Sequence, residues 1–302
     1  MILNNSIIII TGSTCVGKTD FAIELAEKVS GEIINIDVGQ FYFPLTIGTA
    51  KPDWKNETIP HHFFDILDSP KDLTVFEYRQ LLIPKLNEIF QKNKTPILVG
   101  GSGFYIQSLL FPPTVKNAPN KFNINENQKI DNNWEKLFSI DPKRAEQINK
   151  NDVYRIDRAL QIWQTTGKLP SDYVPEYNPP SAYSLYILER ERSELYQRIN
   201  KRVYKMFNEG WIDEVRSLKP EWKEYLKKKK IIGYDDIIKF LDSSEESYEH
   251  DFEELIRVIA QKVRNYAKRQ STFFKSLEKK ILKAEKDAHI KVAKEIKWIN
   301  IY

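Results

Sequence analysis

The stretch that most restricts this chain is Gly12-Ser-Thr-Cys-Val-Gly17-Lys18-Thr19, which fits G-x-x-x-x-G-K-[ST] and stands between two segments of different periodicity. Ahead of it, Ser6-Ile-Ile-Ile-Ile-Thr11 is a β-branched apolar run without polar alternation, the composition of a strand covered on both faces of a parallel sheet. Behind it, Phe21, Ala22, Leu25, Ala26 and Val29 recur at intervals of three and four, which predicts a helix over 18–29 that stops near Gly31. A strand that turns through glycines into a helix aims backbone N–H groups and the positive helix end at one point, where a phosphate chain fits. Gly12, Ser13, Thr14, Cys15, Val16, Gly17, Lys18 and Thr19 are therefore the candidate phosphate or pyrophosphate site, with Lys18 reaching the terminal phosphates and the Thr19 hydroxyl able to hold Mg2+.

The pattern then repeats as a fold. Glu32 to Ile36 reads as a second strand ending in Asp37, and Pro96 to Val99 as a third ending in Gly100-Gly101. A helix from Phe76 to about Gln91 separates them, with a kink or break expected at Pro84. Strand, helix, strand, helix, strand makes a doubly wound α/β core, and Asp37 falls at the carboxyl end of its strand, where such sheets bind ligands. Residues 112–180 change character: prolines and asparagines interrupt the pattern, helical stretches resume near 131–137 and 142–165, and a proline-rich connector covers 169–180. The chain thus divides into a core of 1–111 with 181–302 and an inserted, mostly helical subdomain. The core resumes with a strand at Ser184 to Leu188 and amphipathic helices over Glu194 to Glu209 and Phe252 to Phe274.

Composition excludes several classes. One cysteine in 302 residues rules out an internal disulfide framework and a thiolate zinc site, which fits a cytoplasmic home. No run approaches the roughly 20 apolar residues that span a bilayer, so no membrane role is expected. Charge is uneven: residues 181–302 hold 27 Lys and Arg against 21 Asp and Glu, while the whole chain is only +4. A basic partner surface draws on that C-terminal part.

A set of ordered blocks goes further. Asp37-Val-Gly-Gln40-Phe-Tyr42, Ile47-Gly-Thr-Ala-Lys-Pro52, Pro60-His-His62, Leu98-Val-Gly-Gly-Ser-Gly-Phe-Tyr105, Arg155-Ile-Asp-Arg158, Ile232-Gly-Tyr234 and Lys268-Arg-Gln-Ser-Thr-Phe273 follow one another at characteristic spacing. In these blocks, from residue 7 to about 275, the chain resembles the bacterial tRNA dimethylallyltransferases, or isopentenyl-tRNA transferases. The resemblance implies a P-loop NTPase-like α/β fold with an inserted helical tRNA-binding subdomain. It implies transfer of a dimethylallyl group from dimethylallyl diphosphate, with Mg2+, to N6 of the adenosine 3′ of the anticodon in tRNAs reading codons that start with U. The partner is the anticodon stem-loop of tRNA, no obligate protein partner is implied, and a monomer is expected.

The same resemblance assigns residues. Asp37 is the base, and Lys18, Thr19 through Mg2+, and Arg202 share the diphosphate charge; Ser102 stands where threonine is usual and keeps a hydroxyl near the reacting groups. Asp37, Val38, Gly39, Gln40, Ser102, Tyr154, Arg155, Arg158, Lys230, Gly233, Tyr234, Lys268, Arg269 and Gln270 match segments that contact tRNA. Chemistry agrees with this. An allylic diphosphate offers a pyrophosphate leaving group, and adenine N6, whose lone pair is delocalised into the ring, needs a proton acceptor as the C–N bond forms.

Departures and rivals complete the reading. Val38-Gly39 replaces the serine that usually follows the base, and Phe43-Pro44-Leu45-Thr46 replaces a basic, glycine- and aspartate-containing stretch. The adjacent His61 and His62 splay apart and are expected to serve structure or a substrate loop rather than a metal, and Phe273 and Phe274 are expected in the core. A P-loop kinase, an enzyme prenylating free adenine nucleotide, and an RNA-binding paralogue with altered prenyl transfer are the alternatives.

Overall fold

The computed structural model describes residues 3–113, 131–242 and 248–301. The Pro- and Asn-interrupted segment between 114 and 130 lies outside them. The chain forms two compact units, one of residues 1–109 with 179–302 and one of residues 110–178.

The larger unit is built on a six-stranded sheet in the order β3-β2-β4-β1-β5-β6, with every pairing parallel. The strands are β1 (Leu3–Gly12), β2 (Gly31–Asn35), β3 (His61–His62), β4 (Thr95–Val99), β5 (Ser181–Glu189) and β6 (Ala293–Asn300). Ile7, Ile9 and Ile10 of β1 are fully buried, as its unbroken apolar run requires, and β1 is interior, between β4 and β5. Helix α1 (Lys18–Val29) matches its expected span and is stopped by Ser30 in the left-handed conformation.

Helix α2 (Val75–Gln91) is one continuous helix, so the break expected at Pro84 does not occur. Pro84 removes a single backbone donor, while Tyr78, Leu82, Leu86 and Ile89 bury one stripe along both halves and hold them together. A capping box between Thr74 and Glu77 fixes its start.

After β4 comes α3 (Gly103–Leu110). The smaller unit carries α4 (Asp131–Ile140), α5 (Pro142–Glu146) and α6 (Val153–Thr166). The single stretch expected over 142–165 is two helices, because Asp141 and Asp152 each cap a new start on the amide three residues ahead. Leu137, Ala145, Ile148, Ile156, Ala159 and Leu160 give this unit a core of its own.

The C-terminal part holds α7 (Arg192–Asn208), α8 (Trp211–Ser217), α9 (Pro220–Lys229), α10 (Tyr234–Asp242) and α11 (Tyr248–Asp287). Helix α11 runs 40 residues, well past the expected 252–274. Its apolar stripe continues through Phe274, Leu277 and Ile281, all buried. No described helix is long and apolar enough to cross a membrane.

Candidate active site

The carboxyl ends of β2, β4 and β1 are neighbours in the sheet, and each leads into a segment already singled out: Asp37, Gly100 to Ser102, and the loop from Gly12 to Thr19. Close approach is enforced by glycine. A Cβ on Gly12 would sit 2.3 Å from the Leu188 carbonyl oxygen, and one on Gly100 would sit 2.6 Å from the Ile36 carbonyl carbon. Buried Thr11 donates its hydroxyl to the Gly100 carbonyl at 2.8 Å and ties the two strand ends together.

The phosphate loop is open at its centre. Gly17, at φ +108°, precedes α1 with no side-chain cap, and the amides of Cys15, Lys18 and Thr19 find no acceptor among the described residues. Lys18 Nζ folds inward onto the Gly12 and Ser13 carbonyls at 3.1 and 2.9 Å. Burial lowers its pKa to about 8, with Arg202 adding to the fall and Asp37 and Cys15 opposing it. From α7, Arg202 donates to the Thr14 hydroxyl and Arg198 Nε donates to the Cys15 carbonyl at 3.1 Å. The sequence singled out only Arg202; that Arg198 lies four residues earlier, on the same helix face, was the available signal.

Asp37 is held from three sides. Its N–H donates to Asn35 Oδ1 at 2.9 Å, while Asn35, itself buried, donates back to the Asp37 carbonyl at 3.2 Å. The carboxylate accepts from the Gly39 amide at 3.3 Å and from the Gly101 amide at 3.4 Å. Ser102 Oγ accepts from the Val38 amide at 3.0 Å, and its hydroxyl proton has no acceptor among the described residues. Tyr266 of α11 stands near this carboxylate, and burial first, then the Asp37 charge, raises its pKa.

Several residues matched to RNA contact are committed to the protein. Gln270 is buried, its Oε1 accepting from the Thr14 amide at 2.8 Å and its Nε2 donating to the Gly101 carbonyl at 2.9 Å. Tyr234 is fully buried and donates to Glu214 at 2.7 Å, so it offers no flat surface to a base. Gly233 serves packing: a Cβ there would lie 2.1 Å from the Trp211 ring, as would one on Gly48. Gln40 Nε2 donates to the Thr49 and Ala50 carbonyls at 3.3 and 3.2 Å. Glu214, which the sequence did not suggest, accepts from the amides of Thr46, Ile47 and Gly48 at 2.9, 2.7 and 3.3 Å and fastens the loop that follows Gln40.

Other candidates remain available to a partner. Lys268 and Arg269 are exposed on α11, with Arg269 over the Tyr266 ring, and Lys230 is exposed after α9. In the smaller unit, Tyr154 is 71% exposed and exposed Arg155 forms an ion pair with Asp152, while Arg158 bonds Gln161. Phe274 is core and Phe273 is half-buried beneath Gly103. His61 and His62 do splay, onto the Ile59 carbonyl and Glu32 respectively.

This arrangement has known counterparts. A family profile described as IPP transferase matches residues 40–277. The chain belongs to the IPP transferase family. It is 36% identical to the tRNA dimethylallyltransferase of Petrotoga mobilis over 285 residues, covering 91% of this chain and 92% of that one. It is 38% identical to the enzyme of the same name from Halothermothrix orenii, covering 90% and 85%. Among solved structures, the tRNA isopentenylpyrophosphate transferase of Bacillus halodurans superposes with TM-score 0.65 at 29% identity, covering 98% of this chain and 89% of that one. A eukaryotic dimethylallyltransferase acting on tRNA superposes with TM-score 0.77 at 26% identity, covering 98% and 74%.

The same-fold relatives agree with the P-loop NTPase-like α/β architecture implied by the sequence. The profile begins at residue 40, so the phosphate loop and Asp37 are evidence additional to it.

Proposed function

We propose that this chain is a tRNA dimethylallyltransferase. It moves a dimethylallyl group from dimethylallyl diphosphate to N6 of the adenosine 3′ of the anticodon, in the cytoplasm and as a monomer. The observation that carries the reading is the placement, at the carboxyl ends of β1 and β2 on either side of β4, of an open phosphate loop and the fixed Asp37 carboxylate. Strands two places apart stand roughly 10 Å apart, a gap that an allylic diphosphate meeting a purine can bridge.

In the reaction the N6–C1 bond forms as the C1–O bond to diphosphate breaks. Asp37 accepts the N6 proton, and the carboxylate, already aimed by the Gly39 and Gly101 amides, needs no reorganisation. The Cys15, Lys18 and Thr19 amides, with Lys18 and Arg202, take up the charge that collects on the diphosphate. Ser102 donates its free hydroxyl proton beside the reacting centre.

Mg2+ fits this donor set. The Thr19 side chain is exposed at the start of α1 with no protein partner among the described residues, and these contain no cluster of three or more His, Cys, Asp or Glu. That is the chemistry of an ion bound chiefly through substrate phosphates and water, whose contribution is to offset diphosphate charge.

An adenosine that reaches Asp37 has left the anticodon-loop stack, at a cost of a few kcal/mol. Lys268, Arg269 and Lys230, together with Tyr154, Arg155 and Arg158 of the inserted unit, supply the compensating RNA contacts. The test is mass spectrometry of the nucleosides and nucleotides recovered after an anticodon stem-loop and free AMP compete in one mixture with the protein, dimethylallyl diphosphate and Mg2+. An adenosine carrying one added dimethylallyl group is expected; unmodified adenosine together with a prenylated free nucleotide would replace this reading with free-nucleotide prenylation.

A further inference from the structure

Phe43 is 58% exposed, yet its backbone is fixed on every side. Its amide donates to the Leu67 carbonyl at 2.8 Å, its carbonyl accepts from Lys51 Nζ at 3.3 Å, and Pro44 restricts its φ and ψ to the extended region. Lys51 is anchored in turn by an ion pair with Asp65 and a bond to the Tyr42 carbonyl at 2.7 Å. A large apolar ring is thus presented to solvent on a rigid support, where side-chain ordering costs little on binding.

A lone exposed aromatic is ordinary on a protein surface. This one is accompanied. Lys55 Nζ lies 5.9 Å from the Phe43 ring centroid and 5.3 Å from that of Trp54, and Trp54 stacks on Phe64 at 5.7 Å with 17° between the rings. The Lys55 side chain is 61% exposed, and its one ion-pair partner among the described residues, Asp65, is at 4.0 Å and already engaged by Lys51. Ring, ammonium and ring therefore alternate along one surface.

The place matters as much as the composition. Phe43 lies six positions after Asp37, a reach of at most about 20 Å, and four residues of that path, Val38–Phe41, form a 3-10 turn that shortens it. Stacked nucleotides rise about 3.4 Å per strand step, so the strip lies within a few nucleotides of any base seated at Asp37.

We infer that Phe43 is a stacking platform for a nucleobase of the anticodon loop other than the reacting adenine, with Lys55 on the adjoining phosphate. This rests on the tRNA reading above and adds a recognition element to it. Single-stranded RNA is held by such sites, because every base has a π-face and every linkage a charge.

The test uses the whole protein and an anticodon stem-loop carrying 2-aminopurine next to the reacting adenosine, on the 5′ side in one RNA and the 3′ side in another. Binding to the wild type quenches the fluorescence of at least one RNA, and Phe43→Tyr preserves the quenching. Phe43→Ala, an exposed site that leaves the thermal midpoint unchanged, abolishes the quenching and raises Kd about tenfold. It leaves the salt dependence of Kd unchanged, whereas Lys55→Gln lowers that slope by about one. Equal Kd and equal quenching for wild type and Phe43→Ala overturn the inference alone. A wild type that binds no stem-loop overturns the tRNA reading and the inference with it.

Discussion

Gln270 donates its side-chain amide to the Gly101 carbonyl at 2.9 Å, and through the other end of the same group it receives the Thr14 amide at 2.8 Å. One buried carboxamide on α11 thus links the phosphate loop to the residue whose own amide holds Asp37. The two halves of the proposed reaction, leaving-group charge and proton acceptance, are set in register by a residue that does neither.

Replacing Gln270 with Leu leaves the Thr14 amide without its acceptor, while the Gly101 carbonyl keeps the Gly103 amide at 3.0 Å. The expected loss is about 1–3 kcal/mol of stability, read as a lower urea midpoint at unchanged slope. The KM for dimethylallyl diphosphate is expected to rise by a larger factor than kcat falls, since the loop loses its tether while Asp37 keeps its Gly39 bond.

Lys18 makes the pH dependence specific. Burial lowers its pKa from 10.5 to about 8, so the free protein loses this positive charge as pH rises through about 8. kcat/KM for dimethylallyl diphosphate should be level below that point and fall above it. Because Arg202 contributes to the depression, Arg202→Gln moves the descending limb to higher pH while weakening binding. Stability changes in the opposite direction: between about pH 8 and 10.5 the unfolded chain holds a proton on this lysine that the folded chain has released, so stability gains with pH across that window.

Gly233→Ala forces a methyl group to 2.1 Å from the Trp211 ring at a φ of +88°. The substitution should cost about 1–3 kcal/mol, visible as a lower Tm, from overpacking alone. Glu214→Gln weakens the hold on the Thr46, Ile47 and Gly48 amides from the other side. Its effect should appear mainly in the affinity for the stem-loop, measured by titration, because this loop carries Gln40's partners Thr49 and Ala50.

The legible part of this molecule was the part governed by local chemistry. The β1, loop and α1 unit declared itself because an apolar β-branched run, two glycines and a 3.6-residue stripe are contiguous. The strand β6 did not, since Ala293 to Asn300 alternates weakly with charge and pairs as an edge strand to β5, a partner over a hundred residues away. Likewise Gln270 and Tyr234 looked like RNA contacts in their blocks, yet each side chain is spent on a distant segment: Thr14 and Gly101 in one case, Glu214 in the other. A polar residue that closes a tertiary junction leaves the same trace in a sequence as one that greets a ligand. Only burial separates them.

The most direct test of the account is turnover by Asp37→Asn with both substrates saturating, alongside the Kd of the same variant for the stem-loop. Asparagine keeps the size of the side chain and an oxygen for the Gly39 amide, but it cannot take the N6 proton. Single-turnover rate should fall by about a hundredfold or more, with stem-loop Kd unchanged within about twofold. An Asp37→Asn protein that prenylates the stem-loop at the wild-type rate would contradict the assignment of this carboxylate as the base.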